Sequence, residues 1–192
     1  MLLSTRLNQR DENMIPEPKP TPKPVMLRTS PTVRTARLAI FTALSAAGSL
    51  IKIPSPVGSL AFDSAPGFLI ALLFGPIEGA LVSGLGHIAT AVVSGFPLGI
   101  LHIPIAIGMA LAGATIGLLN KLNKTWGVAP ALVAGVVINT VLVFPLVPWL
   151  GPDMDTGWVI AVGFVPFLAI AATLNAVVAG LVYVGIRGTL RT

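Results

Sequence analysis

Hydrophobic and charged residues are unevenly distributed along this chain of 192 residues. Beyond residue 34, three long uncharged stretches of 42, 28 and 31 residues lie between Glu78 and Lys121, between Lys124 and Asp153, and between Asp155 and Arg187. A bilayer-spanning helix needs about 20 predominantly apolar residues. The first stretch therefore accommodates two spanning helices, and each of the other two accommodates one.

Two further apolar segments precede these stretches. Residues 38–51 follow two arginines, and residues 66–75 form a segment about half as long as a normal span. Pro76 and Gly79 then let the chain turn directly into the next helix. We therefore predict an all-α membrane protein with six transmembrane helices, near residues 35–52, 65–75, 77–95, 99–121, 127–149 and 157–186.

The first 33 residues differ in composition from the rest of the chain. Proline occupies every second position from Pro16 to Pro24, which removes backbone donors and excludes a regular helix or strand. We expect residues 1–33 to form a disordered, proline-rich cytoplasmic tail and residues 34–192 to form the transmembrane domain. A docking site for a proline-binding partner is the alternative for the tail.

Composition agrees with this division. Only 10% of the residues are charged, against about 25% in a typical soluble domain, and ten of the 19 charged residues lie in the first 37 positions. The chain has no cysteine, which excludes disulfide bonds, iron–sulfur clusters and thiol catalysis. It also lacks nucleotide-binding, hydrolase and metalloprotease motifs, so we expect no enzyme activity, cofactor or metal site. No basic stripe with interleaved aromatic residues suggests nucleic-acid binding.

The basic residues predict the orientation in the membrane. With both termini in the cytoplasm, six basic residues face inwards, namely Arg34, Arg37, Lys121, Lys124, Arg187 and Arg191. Only Lys52 then lies on the outer side, together with Asp63, Asp153 and Asp155. This asymmetry is typical of a multi-pass membrane protein, which we expect to lie in the cytoplasmic membrane.

Five polar side chains interrupt the spans, and polar groups in spans are often functional: Glu78, His87, His102, Asn139 and Asn175. Glu78 follows a glycine–proline turn, which favours a position at the membrane surface. Each of the others has an alternative as a packing residue or an interhelical hydrogen-bond partner. Their number in one small bundle favours a shared polar cavity.

The outer loops supply further candidates. The first, residues 53–65, is long yet contains Phe62 and other apolar residues, which is typical of a lid over a cavity and alternatively of a loop lying on lipid headgroups. Trp149 and Trp158 flank another loop. Such tryptophans usually form an interfacial belt, although stacking on a flat ligand is the alternative.

Ala39, Ala43 and Ala47 recur every four residues on the first span and place three small side chains on one helix face. A small-residue stripe allows another helix to approach closely. The pattern leaves two interpretations open, which are packing inside this bundle and docking of a separate subunit.

The segment Leu73-Phe74-Gly75-Pro76 followed by Gly79-Ala80, within residues 62–87, resembles the substrate-binding S components of energy-coupling factor (ECF) vitamin transporters. The alanine stripe and the Pro166-Phe167…Asn175 pattern of the last span are also similar to theirs. The resemblance extends over residues 34–190 and implies a compact six-helix bundle that binds a vitamin or precursor at its outer side.

The resemblance also implies partners. The stripe Ala39, Ala43 and Ala47 would dock on a transmembrane coupling subunit, and two cytoplasmic ATPases would complete the transporter. Ligand contacts in the family come from the outer loops and from spans four to six. The resulting candidate substrate-binding residues are His102, Asn139, Asn175, His87, Phe62, Asp63, Phe96 and Trp158.

The candidate substrate follows from charge. No acid lies in mid-span to favour a cation such as thiamine, and only Lys52 could pair with an acid such as biotin, folate or pantothenate. We therefore predict a neutral, nucleoside-like vitamin precursor such as α-ribazole, the lower-ligand nucleoside of cobalamin. Riboflavin, pyridoxine, the pyrimidine precursor of thiamine and an autonomous carrier for a small solute are the alternatives.

Overall fold

A computed structural model describes residues 30–52, 60–122 and 128–189 of the chain. The tail segment 1–29, the middle of the first outer loop, Lys124 and Arg191 lie outside the described residues. The seven helices of the described part, in chain order, are α1 (Pro31–Gly48), α2 (Ala65–Phe74), α3 (Pro76–Ser94), α4 (His102–Leu122), α5 (Ala129–Val141), the one-turn α6 (Val147–Leu150) and α7 (Met154–Thr189). A 3-10 turn precedes α4, at Gly99–Leu101, and another precedes α6, at Phe144–Leu146.

The predicted all-α bundle is confirmed, with six helices of ten residues or more in the described part of the chain. Among the residues that the structure describes, four segments are long and apolar enough to cross a membrane, namely Pro76–Ser94, Gly99–Leu122, Ala129–Leu150 and Met154–Arg187. The predicted first and second spans correspond to α1, of 18 residues, and α2, of 10 residues. Helix α1 begins at Pro31, a few residues before the predicted start of the first span.

The predicted fifth span is interrupted in the structure. Helix α5 ends at Val141, and the chain continues through the 3-10 turn Phe144–Leu146 into α6. Pro145 and Pro148 lie in this segment and have no backbone N–H to donate to a preceding turn. The interruption follows from these two prolines, which the length-based prediction did not take into account.

Gly75 is the sole link between α2 and α3. Its backbone has φ +105° and ψ −167°, a conformation that is essentially restricted to glycine. Pro76 is the first residue of α3. The backbone N–H at this position has no partner within a helix, so proline costs no hydrogen bond there. The predicted glycine–proline turn is therefore a one-residue connection.

Helix α2 is the centre of the bundle. It packs against α1, α3, α4 and α7, and its side chains Phe68, Ile70 and Ala71 are fully buried. Ten residues of helix are only about 15 Å long, roughly half the apolar thickness of a bilayer. The half-length helix leaves space for the first outer loop to enter one end of the bundle.

Helices α3 and α4 cross closely because both carry glycine at the crossing point. A β-carbon built on Gly113 would collide with the Gly79 carbonyl oxygen, and one on Gly79 would lie 2.6 Å from the Gly113 oxygen. Small residues at such crossings allow the two backbones to approach until they are in van der Waals contact, which stabilises the helix pair. The small residues Ala106, Gly117 and Ala131 are likewise buried in the bundle.

A cluster of charges lies at the end of the bundle where α2 meets α3. The Glu78 carboxylate forms an ion pair with Arg34, whose Nε lies 3.1 Å away, and accepts a hydrogen bond from Arg37 Nη2 at 3.3 Å. The Arg37 guanidinium lies 3.7 Å from the centre of the Phe74 ring. The Lys121 side chain lies beside Gly75 at the same end. Glu78 therefore pairs with α1 and does not contribute to the cavity described below.

We predict that Gly113→Leu lowers the free energy of unfolding by about 1–3 kcal/mol, because the added side chain forces α3 and α4 apart. Gly163→Leu is the matched control, since a β-carbon there meets nothing within 4 Å. Thermal unfolding of both variants in detergent checks this. Equal stability of the two variants would contradict the close crossing.

Candidate functional site

A cavity of about 100 Å³ opens at the end of the bundle where α2 begins, opposite the Glu78 cluster. Its wall consists mostly of aliphatic and aromatic side chains, including Ile105, Met109, Leu142, Phe164 and Leu168. Polar side chains interrupt this apolar wall, namely Asp63, Ser64, His87, Thr90, Ser94, His102, Asn139 and Asn175. An apolar wall with a few convergent polar groups is the usual form of a small-molecule site.

The Asn175 side chain holds the first outer loop in place. Its Oδ1 accepts the backbone N–H groups of Ser64, at 3.0 Å, and of Ala65, at 2.7 Å. Its Nδ2 donates to the carbonyl oxygens of Ala61 and Ala171, each at 2.9 Å. The amide is 1% exposed, and both its donors and both its acceptor positions are used by the backbone. Asn175 therefore acts as an anchor for residues 61–65 and caps the first turn of α2.

The anchored loop places Asp63 in the cavity wall. Its carboxylate accepts the Ser64 hydroxyl at 3.2 Å and is partly exposed through the cavity that it lines. Burial raises the pKa of Asp63 from 3.8 to about 6, against the opposing effects of the neighbouring hydroxyl groups and of Lys52. Thr90 lies beside this carboxyl group, and its buried hydroxyl makes no hydrogen bond of ordinary geometry to the described residues.

The two histidines contact each other across α3 and α4. His87 Nε2 lies 3.1 Å from His102 Nδ1, and the other nitrogen of His102 accepts the backbone N–H of Leu98 at 3.3 Å. The Phe96 ring packs edge-on against His102, with ring centroids 5.7 Å apart. His102 is buried, whereas His87 is partly exposed in the cavity.

A second contact fixes the outer loop from the other side. Lys52 and Ala61 form an antiparallel β-bridge, and Lys52 Nζ donates to the hydroxyl of Ser94 at 2.8 Å. Ser94 is the last residue of α3 and lines the cavity. The two ends of the loop therefore meet above the cavity, while residues 53–59, to which the predicted lid also extends, lie outside the described residues.

The structure brings five of the eight predicted site residues together in the cavity wall, namely Asp63, His87, His102, Asn139 and Asn175. The other three lie elsewhere. Phe62 lines a separate apolar groove between α1 and α7, Phe96 supports His102, and Trp158 packs against Phe144 with 48% of its surface exposed.

Sequence reasoning missed Thr90, Ser64 and the Leu98 backbone as parts of the site. Thr90 lies three residues after His87 in α3, so helical spacing could have placed it on the same face. The sequence did not indicate the contribution of the Leu98 N–H. Its position depends on a backbone turn with positive φ at Phe96, 52°, and at Gly99, 53°.

Comparisons with known proteins agree with this architecture. The family model for the ECF transporter substrate-specific component matches residues 33–183. The chain belongs to this family. It is similar in structure to the solved S component of a bacterial ECF transporter, with a TM-score of 0.64 and 22% identity over 85% of this chain and 100% of that one. That likeness shows the shared fold, and no curated protein sequence matches the chain significantly.

Family membership defines the general role. This S component is a membrane-embedded substrate-binding subunit of an ECF importer, and it works with the membrane and ATPase components of that transporter. S components are transporter subunits and not enzymes. The cavity next to the anchored loop is the candidate site for the small molecule.

We predict that Asn175→Ala lowers the free energy of unfolding by about 2 kcal/mol or more, because the backbone N–H groups of Ser64 and Ala65 and the Ala61 carbonyl lose this hydrogen-bond partner. Thr173→Ala, at an exposed position of the same helix, is the control and should have little effect. Thermal unfolding checks both variants. Asn175→Ala with the stability of the control would show that the anchor does not hold the loop.

Proposed function

We propose that this S component binds a neutral, nucleoside-like vitamin precursor such as α-ribazole. The observation that supports the proposal is the composition of the cavity, in which an apolar wall suited to a flat substituted ring adjoins a group of polar side chains suited to sugar hydroxyls. The wall includes Ile105, Met109 and Leu168, and the polar groups include Asp63 and Thr90.

Charge in the cavity supports a ligand that is not an acid. Asp63 is the only lining residue with a formal charge, and no lysine or arginine lines the cavity among the described residues. Lys52 is bound to Ser94 at the edge of the cavity and does not itself line it, so a carboxylate ligand would lack a cationic partner in the cavity wall and would face Asp63. Biotin, folate and pantothenate are therefore disfavoured as substrates, whereas hydroxyl groups can donate to the Asp63 carboxylate.

A second candidate follows from the same carboxylate. The sequence placed Asp63 in an outer loop, and the structure brings it into the cavity. An aminopyrimidine can donate N–H groups to a carboxylate as readily as a ribose can donate hydroxyls. The pyrimidine precursor of thiamine is therefore the alternative substrate that this site supports.

The exposed alanine stripe supports docking of the coupling subunit. Ala39, Ala43 and Ala47 are all exposed on α1, so they do not pack inside this bundle. We place the Glu78 end of the bundle in the cytoplasm, because Arg34, Arg37 and Lys121 cluster there. In this orientation both termini are cytoplasmic, and the cavity opens to the outside of the cytoplasmic membrane.

Native mass spectrometry of the purified chain tests the substrate. We expect one co-purifying small molecule with the mass of α-ribazole or of a related nucleoside. An acid such as biotin would overturn the proposal, and an aminopyrimidine would favour the alternative. Uptake into liposomes by the chain alone, without ATPases, would instead indicate an autonomous carrier.

We predict that Ala43→Trp abolishes complex formation with the coupling subunit and uptake but leaves ligand affinity unchanged, because the bulky ring prevents close helix approach. Val133→Trp, at an exposed position of α5, is the matched control. Co-purification of the subunits and ligand binding by each variant are the measurements. A normally assembling Ala43→Trp variant would show that the stripe is not the docking surface.

The raised pKa of Asp63 predicts a pH dependence of binding. A proton on the carboxyl group competes with the donors of the ligand, so affinity for α-ribazole should fall as pH decreases below about 6. Each further pH unit reduces the ionised fraction by about tenfold. Titration calorimetry from pH 7.5 to 4.5 checks this, with Asp63→Asn as control. The control should bind weakly at all pH values and show a flatter profile; identical profiles would exclude Asp63 as the acceptor.

A further inference from the structure

The hydrogen bond from Leu98 fixes the tautomer of His102. A backbone N–H can only donate, so His102 Nε2, which lies 3.3 Å from the Leu98 nitrogen, must be unprotonated. A neutral imidazole carries its single proton on the other nitrogen, and His102 is therefore protonated on Nδ1. The 3-10 turn that precedes α4 holds Leu98 in position for this contact.

The tautomer of His102 in turn determines that of His87. His102 Nδ1–H donates to His87 Nε2 across 3.1 Å, which requires that nitrogen to be the acceptor. The proton of His87 then resides on its own Nδ1. This Nδ1–H makes no hydrogen bond to the described residues, and its nitrogen is not among their buried unpartnered atoms. Because His87 lines the cavity, the donor is available to a molecule inside it.

We propose that His87 selects ligands whose ring carries an unsubstituted acceptor nitrogen, and that His102 is the positioning residue that keeps the His87 donor directed at the ligand. Asp63 supplies the complementary group, since an ionised carboxylate only accepts. The site therefore takes a molecule with an acceptor on its ring and donors elsewhere. This inference rests on the proposed function, in which α-ribazole has one such nitrogen in its benzimidazole ring and hydroxyl donors on its ribose.

Two ligands test the hydrogen bond between His87 and the ligand in the wild-type chain. The probes are α-ribazole and the corresponding dimethylindole riboside, in which a C–H group replaces the acceptor nitrogen of the ring. We expect the wild-type chain to bind α-ribazole about tenfold more tightly than the indole riboside, as the loss of one hydrogen bond to the ligand would produce. Equal affinities of the wild-type chain for the two probes would overturn the inference.

Two substitutions at His87 distinguish the roles of its two ring nitrogens. An asparagine amide reaches the position of Nδ1, so His87→Asn keeps a donor for the ligand and should keep the preference for α-ribazole. A glutamine amide reaches the position of Nε2, so His87→Gln keeps the contact with His102 and should bind both probes equally. A tenfold preference in His87→Gln would contradict the assignment.

Substitutions at His102 test its positioning role. His102→Asn retains a donor at the position of Nδ1 and should retain the preference, whereas His102→Leu frees His87 to change tautomer and should lose it. Unfolding temperatures of all variants identify those that fail to fold. The affinities of the wild-type chain for the two probes test the His87 contact without any variant. Complete absence of α-ribazole binding would overturn both the substrate and this contact, whereas tight but unselective binding would overturn the contact alone.

Discussion

Three hydrogen bonds of the Asn175 amide join the middle of the last helix to the backbone of residues 61–65, and the cavity depends on this junction. In a membrane interior, backbone groups that lack a partner cost several kcal/mol each, because no water replaces the missing hydrogen bond. A loop can therefore enter the bundle only where side chains satisfy its backbone. Asn175 meets this requirement, and in doing so it places Asp63 and Ser64 in the cavity wall.

The remaining features of the fold make room for that loop. Helix α2 is only ten residues long, so its N-terminus begins inside the bundle, and the one-residue link at Gly75 returns the chain at once into α3. Close crossing of α3 and α4 at Gly79 and Gly113 narrows the other end of the bundle. As a result, the cavity lies at one end of the bundle, and the paired charges of Glu78 and Arg37 lie at the opposite end.

The helices and the family could be predicted from the sequence, because the spacing of charges and the Gly75–Pro76 turn directly reflect helix boundaries. The interruption after Val141 was missed because a count of apolar residues ignores the effect of proline on backbone hydrogen bonds. Its position within a span marked Asn175 as a candidate functional residue, but the sequence did not indicate its hydrogen-bond partners. The backbone of residues 61–65, which lies 110 to 114 residues away in sequence, supplies three of them, and no local pattern encodes such contacts.

Phe62 illustrates the limits of sequence reasoning within the site. It adjoins Asp63, and both were candidate ligand contacts, yet neighbouring side chains of the anchored loop point in different directions. Asp63 lines the cavity, whereas Phe62 lines the apolar groove with Phe41 and Val178. The orientation of each side chain depends on the backbone between Ala61 and Ala65, which is fixed by tertiary hydrogen bonds and not by local sequence.

An experimental structure of the purified chain with its co-purified small molecule tests the central claim most directly. We predict that the molecule occupies the cavity, with its donors at the Asp63 carboxylate and a ring acceptor at His87, while Asn175 remains bonded to the backbone of Ser64 and Ala65. A molecule bound in the groove beside Phe62, or an Asn175 side chain that has left the loop to contact the ligand, would contradict this account.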